Sequence, residues 1–259
     1  KFIPLYYFYG MKHLVIIGMV IPEPNSTAAG KRMLQLIDFF SQANYRISFL
    51  TAAGNVEFSF NLKELNINLI TIEINSPNFE TILQGLQPDV VLYDRFVTEE
   101  QFGWKVAEIC PNALKILDTE DLHFLRKARE NAYKKGLNLN EIDFQNEVFI
   151  REMASIYRSD LSLIISEFEY DLLAHTLKVS PDILLYIPLF AEVTPDSVSF
   201  INRKNFVSIG NFLHEPNWQT VLKLKQIWLQ IKKQIPEAEI HIYGAYITEK
   251  AKQLHNEKQ

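Results

Sequence analysis

A cluster of polar residues over Asp118-Thr-Glu-Asp-Leu-His123 combines three carboxylates with one imidazole, and Arg126 and Arg129 follow at helical spacing. Groups of this kind can contact a polar ligand, and carboxylates with a histidine can also bind a divalent cation. A structural alternative is that Glu120 and Asp121 cap a helix that begins here and pair with Arg126. Either way, the cluster follows a predicted strand and is the densest polar group at any strand end.

A second candidate site follows the apolar run Leu14–Ile17, where Pro22-Glu-Pro-Asn-Ser-Thr-Ala-Ala-Gly30 separates a predicted strand from a predicted helix. Loops after strands lie at the carboxyl edge of an α/β sheet, where ligands bind, and small side chains let a ligand approach the backbone. The candidate binding residues are Asn25, Ser26, Gly30 and Arg32. Alternatively, the loop is a tightly packed strand–helix joint, and Arg32 lies on a solvated helix face.

Two further strands end in glycine near the end of the sequence, at Gly210-Asn211 and at Gly244-Ala-Tyr246. A missing side chain at such a position lets another group approach the backbone closely. The candidate binding residues here are Gly210, Asn211, Gly244 and Tyr246, although each glycine alone is a weak signal.

Strand-like and helix-like segments alternate from Leu14 onward, which predicts an α/β protein with a Rossmann-like parallel sheet. The predicted strands of the first domain cover 14–17, 45–51, 68–74, 88–94, 113–117, 160–165 and 183–187. Residues 191–205 are polar and irregular, so they are the predicted linker. We expect an N-terminal Rossmann-like domain over 11–200 and the start of a second Rossmann-like domain over 204–259, with strands near 206–211 and 238–244.

Two short patterns predict helix starts by reciprocal capping, in which a hydroxyl and a Glu or Gln side chain bind each other's backbone N–H groups. They are Thr98-Glu-Glu-Gln101 and Ser166-Glu-Phe-Glu169. The polar region from Arg126 to about Asn146 is predicted to be helical or mobile.

Composition limits the function classes. The formal net charge of −5 gives no electrostatic case for nucleic acid. Cys110 is the single cysteine, which excludes an intrachain disulfide and favours a reducing, cytoplasmic location. No apolar run approaches the roughly 20 residues that span a bilayer. Residues 1–10 resemble no signal peptide, and we expect them to be an extension ahead of a start at Met11.

Taken together, these sequence motifs resemble those of bacterial glycosyltransferases of the GT-B architecture, which has two Rossmann-like domains. Within that architecture, the resemblance is to the family 4-like group (glycosyl transferases group 1). Five segments carry the resemblance in order over nearly all of residues 11–250. They are 22–30, 118–123, 166–169, Phe206-Val-Ser-Ile-Gly-Asn-Phe-Leu-His-Glu-Pro-Asn-Trp218 and Ile235-Pro-Glu-Ala-Glu-Ile-His-Ile-Tyr-Gly244.

The resemblance implies transfer of a sugar from a nucleotide-sugar donor to a carbohydrate or lipid-linked acceptor, with no cofactor, no metal and retention of anomeric configuration. No strand-end Asp-x-Asp pair of the metal-dependent sugar transferases is present. It also implies that His123 or Asp118 contacts the donor sugar near its anomeric carbon, with Glu120 and Asp121 beside them. The first loop would face a cleft between domains, and the glycine-ended strands would line the nucleotide side.

The family's Glu-x7-Glu pair in the donor-side domain has no counterpart before Gln259. We therefore expect this chain to be a fragment or truncation of a longer enzyme and to be inactive alone. The sequence allows peripheral contact with a membrane surface.

Two alternatives come from other classes. A non-catalytic binding module is compatible with every pattern above. A dinucleotide-dependent oxidoreductase is disfavoured because no Gly-x-Gly-x-x-Gly follows Leu14–Ile17: Gly18 and Gly30 are twelve apart, with two prolines between them.

Overall fold

The structure is a computed structural model that describes residues 10–138, 142–191 and 198–254. It divides into two compact units, one formed by Lys1–Pro22 with Arg32–Phe190 and the other by Glu23–Lys31 with Ala191–Gln259. Apart from Gly10, the segment interpreted as an extension lies outside the described residues, as does the 192–197 part of the predicted linker. No helix among the described residues is long and apolar enough to cross a membrane.

The first unit is built on a seven-stranded parallel sheet, which confirms the predicted Rossmann-like α/β fold. Its strand order is β3-β2-β1-β4-β5-β6-β7. The strands are β1 (His13–Gly18), β2 (Arg46–Thr51), β3 (Asn68–Thr71), β4 (Val90–Asp94), β5 (Leu114–Asp118), β6 (Leu161–Ile164) and β7 (Leu184–Tyr186). All six strand pairs are parallel, so every carboxyl end lies at the same edge of the sheet.

Helices connect these strands. They are α1 (Ala28–Gln42), α2 (Asn78–Leu86), α3 (Arg95–Ile109), α4 (His123–Lys134), α5 (Glu147–Arg158) and α6 (Glu167–Asp171), and a π-helical turn, Leu172–Thr176, continues α6. Side chains alternate between the two faces of a strand. In β4, Val91 and Tyr93 accordingly enter one apolar core while Val90 and Leu92 enter another. Parallel sheets covered by helices on both faces show this kind of burial, and it accounts for the near-continuous apolar runs in the sequence.

The second unit contains a two-stranded parallel sheet of β8 (Phe206–Ile209) and β9 (Ile240–Tyr243), with α7 (Glu215–Gln234) between them and the short α8 (Glu249–Lys252) after them. Trp228 of α7 is buried, and its ring meets Phe206 edge-on at 5.7 Å between centroids. The predicted strand–helix–strand order is therefore confirmed, with strands of four residues each.

The predicted capping box at Thr98 is wrong. Helix α3 begins at Arg95, immediately after β4, and Thr98 lies inside the helix, where its hydroxyl donates to the carbonyls of Asp94 and Arg95 at 3.0 Å. A hydroxyl in a helix interior can bond back to carbonyls of the preceding turn, so the S/T-x-x-E/Q pattern alone does not locate a helix start.

The second capping box is half confirmed. The Ser166 hydroxyl accepts a hydrogen bond from the backbone N–H of Glu169, as predicted. The Glu169 carboxylate turns away from the Ser166 backbone and accepts from the N–H of Leu122, 47 residues earlier in the chain. The polar region after Arg126 continues helix α4 to Lys134, while residues 139–141 lie outside the described part of the chain.

Candidate functional site

The candidate site lies at the carboxyl edge of the first sheet, where the strand order reverses. From β1 the chain pairs outward through β2 and β3 on one side, and β4 begins the other side. Ligands of open α/β sheets bind outside the carboxyl ends of the strands at such a reversal. Two charged segments emerge there: Asp94-Arg95 after β4 and Asp118-Thr-Glu120 after β5. Asp94 and Asp118 are register partners on adjacent strands.

Arg32 and Asp118 form a buried ion pair inside the first unit. The Arg32 Nε lies 3.0 Å from both carboxylate oxygens, and its Nη1 donates to the carbonyls of Ile187 at 3.0 Å and Pro188 at 3.4 Å. The two side chains are 2% and 0% exposed. Burial raises the pKa of Asp118, and the hydrogen bond from Arg32 lowers it again.

This placement bears on two predicted site residues. The alternative that Arg32 lies on a solvated helix face is wrong, since the side chain is buried. The Arg32 side chain is 2% exposed and paired with Asp118, so it presents almost no surface to a phosphate group, although its Nη2 makes no hydrogen bond. Asp118, which was predicted to be catalytic, has no exposed surface from which to contact a sugar. In this geometry the pair fixes helix α1 against the ends of β5 and β7.

A second ion pair, Arg95–Glu120, is more open to solvent. The Arg95 Nε lies 2.7 Å from Glu120 Oε2, and the side chains are 18% and 11% exposed. Both residues adopt left-handed backbone conformations, with φ values of 70° and 59°. Non-glycine residues in this region are uncommon and cost free energy, and they cluster at functional sites. The pair is therefore a strained feature at the sheet reversal.

The surroundings of this pair shift its proton affinity. Burial and the nearby Asp94 charge, opposed by Arg95, raise the pKa of Glu120 to about 7. Burial likewise raises the pKa of Asp94. The Asp94 Oδ2 accepts the backbone N–H of Met19 at 3.0 Å, and its Oδ1 is buried without a hydrogen-bond partner.

The imidazole of His123 lies beside these groups at the start of α4. Its side chain is 14% exposed, and its Nε2 is buried 3.5 Å from Asp121 Oδ1. Phe96 packs edge-on against the ring at 5.3 Å between centroids. Burial, followed by the positive charge of Arg126, lowers the pKa of His123 to about 4. The ring is therefore neutral at physiological pH.

Asp121 and Arg126 form the ion pair of the structural alternative, with 3.2 Å between Asp121 Oδ1 and Arg126 Nη1. The capping part of that alternative is wrong. The residue before helix α4 is Leu122, which has no capping side chain. Two carboxylates from distant parts of the sequence, Glu152 and Glu169, accept the free N–H groups instead.

The charges at this edge do not balance. Three carboxylates, Asp94, Asp118 and Glu120, surround the two guanidinium groups of Arg32 and Arg95. With all three ionised, the excess carboxylate repels a diphosphate; with Glu120 protonated, which its pKa of about 7 permits near neutrality, the same group can donate a hydrogen bond to a ligand hydroxyl. No group of three or more possible metal ligands occurs among the described residues. The chemistry that these side chains offer is hydrogen bonding to hydroxyl groups from a neutral imidazole and a carboxyl group of shifted pKa.

The other predicted site residues belong to the second unit, where two hydrogen bonds tie the first loop to strand ends. The amide of Asn211 donates to the Ser26 hydroxyl at 2.9 Å, and the Tyr246 hydroxyl donates to Glu23 Oε2 at 3.0 Å. Asn25 is exposed at the turn of the loop. The structure therefore brings Ser26 and Asn211 together through a direct hydrogen bond.

The three glycines among the predicted binding residues of the second unit are Gly30, Gly210 and Gly244, and each is closely packed against backbone or side chains. A Cβ at Gly244 would overlap the carbonyl oxygen of Gly210, and one at Gly30 would overlap the backbone of Glu23. A Cβ at Gly210 would lie 2.9 Å from the Cβ of Asn217. The chain itself occupies the space that each missing side chain leaves.

Sequence reasoning missed Asp94, Arg95, Glu152 and Glu169. Asp94 ends a buried strand, as Asp118 does, but it falls within the predicted strand 88–94, and the capping pattern at Thr98 favours a later helix start that leaves Arg95 in a loop. Glu152 carries no local signal, and the only signal at Glu169 is the capping box, because a carboxylate that accepts N–H groups from a distant helix is recognisable only in three dimensions.

No protein-family profile matches the chain, and no curated protein matches it significantly in sequence. Solved structures do resemble it. Sucrose-phosphate synthase from Thermosynechococcus elongatus superposes with a TM-score of 0.57 at 13% identity, covering 90% of this chain and 62% of that one. MnaA from S. aureus, in a co-structure with UDP, gives 0.55 at 13% identity, covering 94% and 65%. A glycosyltransferase from Rickettsia africae gives 0.53 at 12% identity, covering 92% and 69%.

These likenesses confirm the fold, which is the Rossmann-like α/β arrangement of GT-B proteins. The chain spans less than two thirds of the first two structures' lengths, with 62% and 65% covered. At 12–13% identity, the resemblance concerns the fold alone.

Proposed function

We propose that this chain contributes the acceptor-side domain of a glycosyltransferase that transfers a sugar from a nucleotide-sugar donor to a carbohydrate or lipid-linked acceptor. The GT-B fold is compatible with this activity. The observation that carries the proposal is the set of hydroxyl-binding groups at the sheet reversal, Glu120 with Arg95 and the neutral His123. We extend the proposal to a metal-independent, retaining reaction of the family 4-like type in the cytoplasm, with membrane contact allowed for a lipid-linked acceptor.

The proposal gives each group at this edge a role. The neutral imidazole of His123 hydrogen-bonds a hydroxyl of the donor sugar near the anomeric carbon. Glu120, held by Arg95, contacts an acceptor or sugar hydroxyl, because its pKa of about 7 lets it accept or donate a proton near neutrality. Asp118 acts through Arg32, which it holds in place, and Asp121 acts through its contact with His123.

The nucleotide is assigned to the second unit, through Gly210, Asn211, Gly244 and Tyr246 with the loop residues Asn25, Ser26 and Gly30. The carboxylate excess at the first sheet supports this division of roles because a diphosphate is better bound elsewhere. We also propose that the chain alone binds without turnover, since a two-stranded sheet gives the nucleotide little enclosure.

The test is a transfer assay on this chain and on the complete protein that its gene encodes. UDP-, GDP- and ADP-linked hexoses are combined with oligosaccharide and polyprenyl-phosphate acceptors, and products are identified by mass spectrometry. We expect transfer by the complete protein that is unaffected by EDTA, with retained anomeric configuration by NMR. His123→Ala and Glu120→Gln should lower the rate by at least about a hundredfold. Glu147→Gln, on an exposed site of α5, serves as the control.

The alternatives give different results in the same assay. A non-catalytic module binds a sugar or nucleotide-sugar, but the complete protein transfers nothing to any acceptor. If the protein is an oxidoreductase, it changes the fluorescence of NADH at micromolar concentration and does not bind nucleotide-sugars. Full activity of both His123→Ala and Asp118→Ala would remove the site assignment while leaving the enzyme class intact.

A further inference from the structure

The start of helix α4 is held by carboxylates that come from two other helices. Glu152 of α5 accepts the N–H of His123 on one oxygen at 3.1 Å and the N–H of Phe124 on the other at 2.8 Å. Glu169 of α6 accepts the N–H of Leu122 at 3.1 Å. Three successive backbone donors are therefore satisfied by side chains 28 to 47 residues away in sequence.

These carboxylates replace a local cap. Helix starts normally use Ser, Thr, Asp or Asn at the preceding position, but Leu122 stands there with an apolar side chain that is buried. Glu152 is 0% exposed and Glu169 is 7% exposed. A buried carboxylate is costly unless it is well hydrogen-bonded, and the positive end of a helix dipole is a favourable place for it.

The arrangement has a direct consequence for anion binding. A helix N-terminus with free N–H groups is a common site for a phosphate or diphosphate. Here Glu152 and Glu169 already occupy those groups. Helix α4 therefore cannot serve the donor's diphosphate, in line with the carboxylate excess beside it.

We propose that Glu152 and Glu169 are positioning residues for His123: they fix the first turn of α4, and with it the imidazole, at the carboxyl edge of the first sheet. His123 is the first residue of the helix, so the bond from its own N–H to Glu152 sets where its side chain begins. The ring then rests against Phe96 and faces Asp121. This inference rests on the proposed function only in assigning His123 to the sugar.

The experiment follows the His123 ring by NMR in this chain, with Glu152→Gln and Glu169→Met compared against Glu147→Gln on the same helix as Glu152. A glutamine offers one acceptor oxygen where Glu152 offers two, so one N–H loses its partner. We expect amide exchange at Leu122, His123 and Phe124 to accelerate about tenfold or more in Glu152→Gln. The His123 titration midpoint should move from about 4 toward 6.5, because the loosened turn exposes the ring to water.

The charged groups that act most on the ring are Asp121, Arg126 and Arg95, and all three are unchanged in every variant. Removing a neighbouring carboxylate can only lower the pKa of His123, so a midpoint that rises reports a change of position. Glu169→Met removes the single oxygen that accepts from the Leu122 N–H, so it should fold and give a smaller shift in the same direction. It provides the test if Glu152→Gln does not fold. The inference is overturned if the folded variants leave the His123 titration and the three amides as they are in Glu147→Gln.

Activity separates this inference from the proposed function. If the complete protein transfers sugar, Glu152→Gln should lower kcat more than it raises KM, and Glu152→Asp should recover part of the loss by restoring a two-oxygen acceptor. If no sugar is transferred but His123 moves as expected, the positioning role stands and the glycosyltransferase proposal fails. If sugar is transferred but the His123 ring does not move, the glycosyltransferase proposal stands and the positioning role fails.

Discussion

The residues at the strand ends differ in kind between the two units. At the carboxyl edge of the first sheet, strands end in charged side chains that are buried or half-buried against each other, with a carboxylate in excess. In the second unit, strands β8 and β9 are followed by glycines, and the chain's own backbone and side chains fill the space beside them. The first arrangement costs free energy that a ligand can recover, whereas the second already has its partners. A strand-end glycine is thus weaker evidence for a ligand than an unbalanced set of charges.

The largest effect is expected from breaking the Arg32–Asp118 pair. Asp118→Ala leaves a buried guanidinium without its carboxylate, and we expect a loss of about 3–5 kcal/mol in the free energy of unfolding, measured with urea. The matched variant Arg32→Met/Asp118→Leu removes both charges and should recover most of that loss. A cost below about 1 kcal/mol for Asp118→Ala would mean that this pair is not buried, and the contrast between the two regions would weaken.

Gly244→Ala tests whether the strand ends of the second unit are filled by the chain itself. A Cβ at this position would overlap the carbonyl oxygen of Gly210, so we expect a loss of about 3 kcal/mol, seen as faster amide exchange in β8 and β9. Gly85→Ala is the control: no heavy atom lies within 4 Å of its Cβ position, and helix α2 should gain up to about 1 kcal/mol. If Gly244→Ala is as stable as the unaltered chain, this glycine is not explained by packing.

The sequence predicted the scaffold well because the central strands β1 and β4 are buried along their whole length and are therefore short apolar runs. The edge strands β3 and β7 are partly exposed, but each predicted strand of the first domain still lies within a few residues of an observed one. Helix starts were harder to place. Thr98 has the residues of a capping box without its geometry, and Glu169 uses its carboxylate on Leu122 rather than on Ser166.

The candidate site was predicted in part. Asp118, Glu120 and His123 follow one strand and are neighbours in sequence, so a local pattern could group them. Their partners, Arg32, Arg95 and Glu152, come from three other elements, and only the sheet topology brings them to this edge. The same reason explains why Arg32 was predicted to bind a ligand: its position near the start of a helix says nothing about which side chain pairs with it.

Glu120 should make stability depend on pH. Its pKa is raised from 4.5 to about 7 by burial, so the folded chain holds this proton more tightly than the unfolded chain does. The resulting stabilisation is fully present below about pH 4.5 and is lost as pH rises through 7. Glu120→Gln removes this dependence, so the variant should gain up to about 3 kcal/mol relative to the unaltered chain between pH 5 and 8.

Urea unfolding at several pH values measures this difference. Glu152, whose pKa is raised to about 8, contributes to both proteins and cancels in the comparison. Parallel stability curves for the two proteins would show that Glu120 is not held in a buried cluster, and the charged edge would then resemble an ordinary surface.

The smallest effect is expected at Ser26, where the first loop meets Asn211 inside the second unit. Ser26→Ala removes the acceptor of one half-buried hydrogen bond, and we expect a loss of about 1 kcal/mol or less in unfolding free energy. Asn25→Ala, at the exposed neighbouring position, should change stability by no more than about 0.5 kcal/mol. The informative result is how the loss of nucleotide-sugar affinity compares with the loss of unfolding free energy in each variant. If Ser26→Ala weakens nucleotide-sugar binding by the complete protein far more than Asn25→Ala does while stability falls as expected, the hydroxyl has a second partner in the ligand. If binding is unchanged, the Ser26 hydroxyl contacts Asn211 alone, and the residues after β8 and β9 serve packing rather than ligand binding.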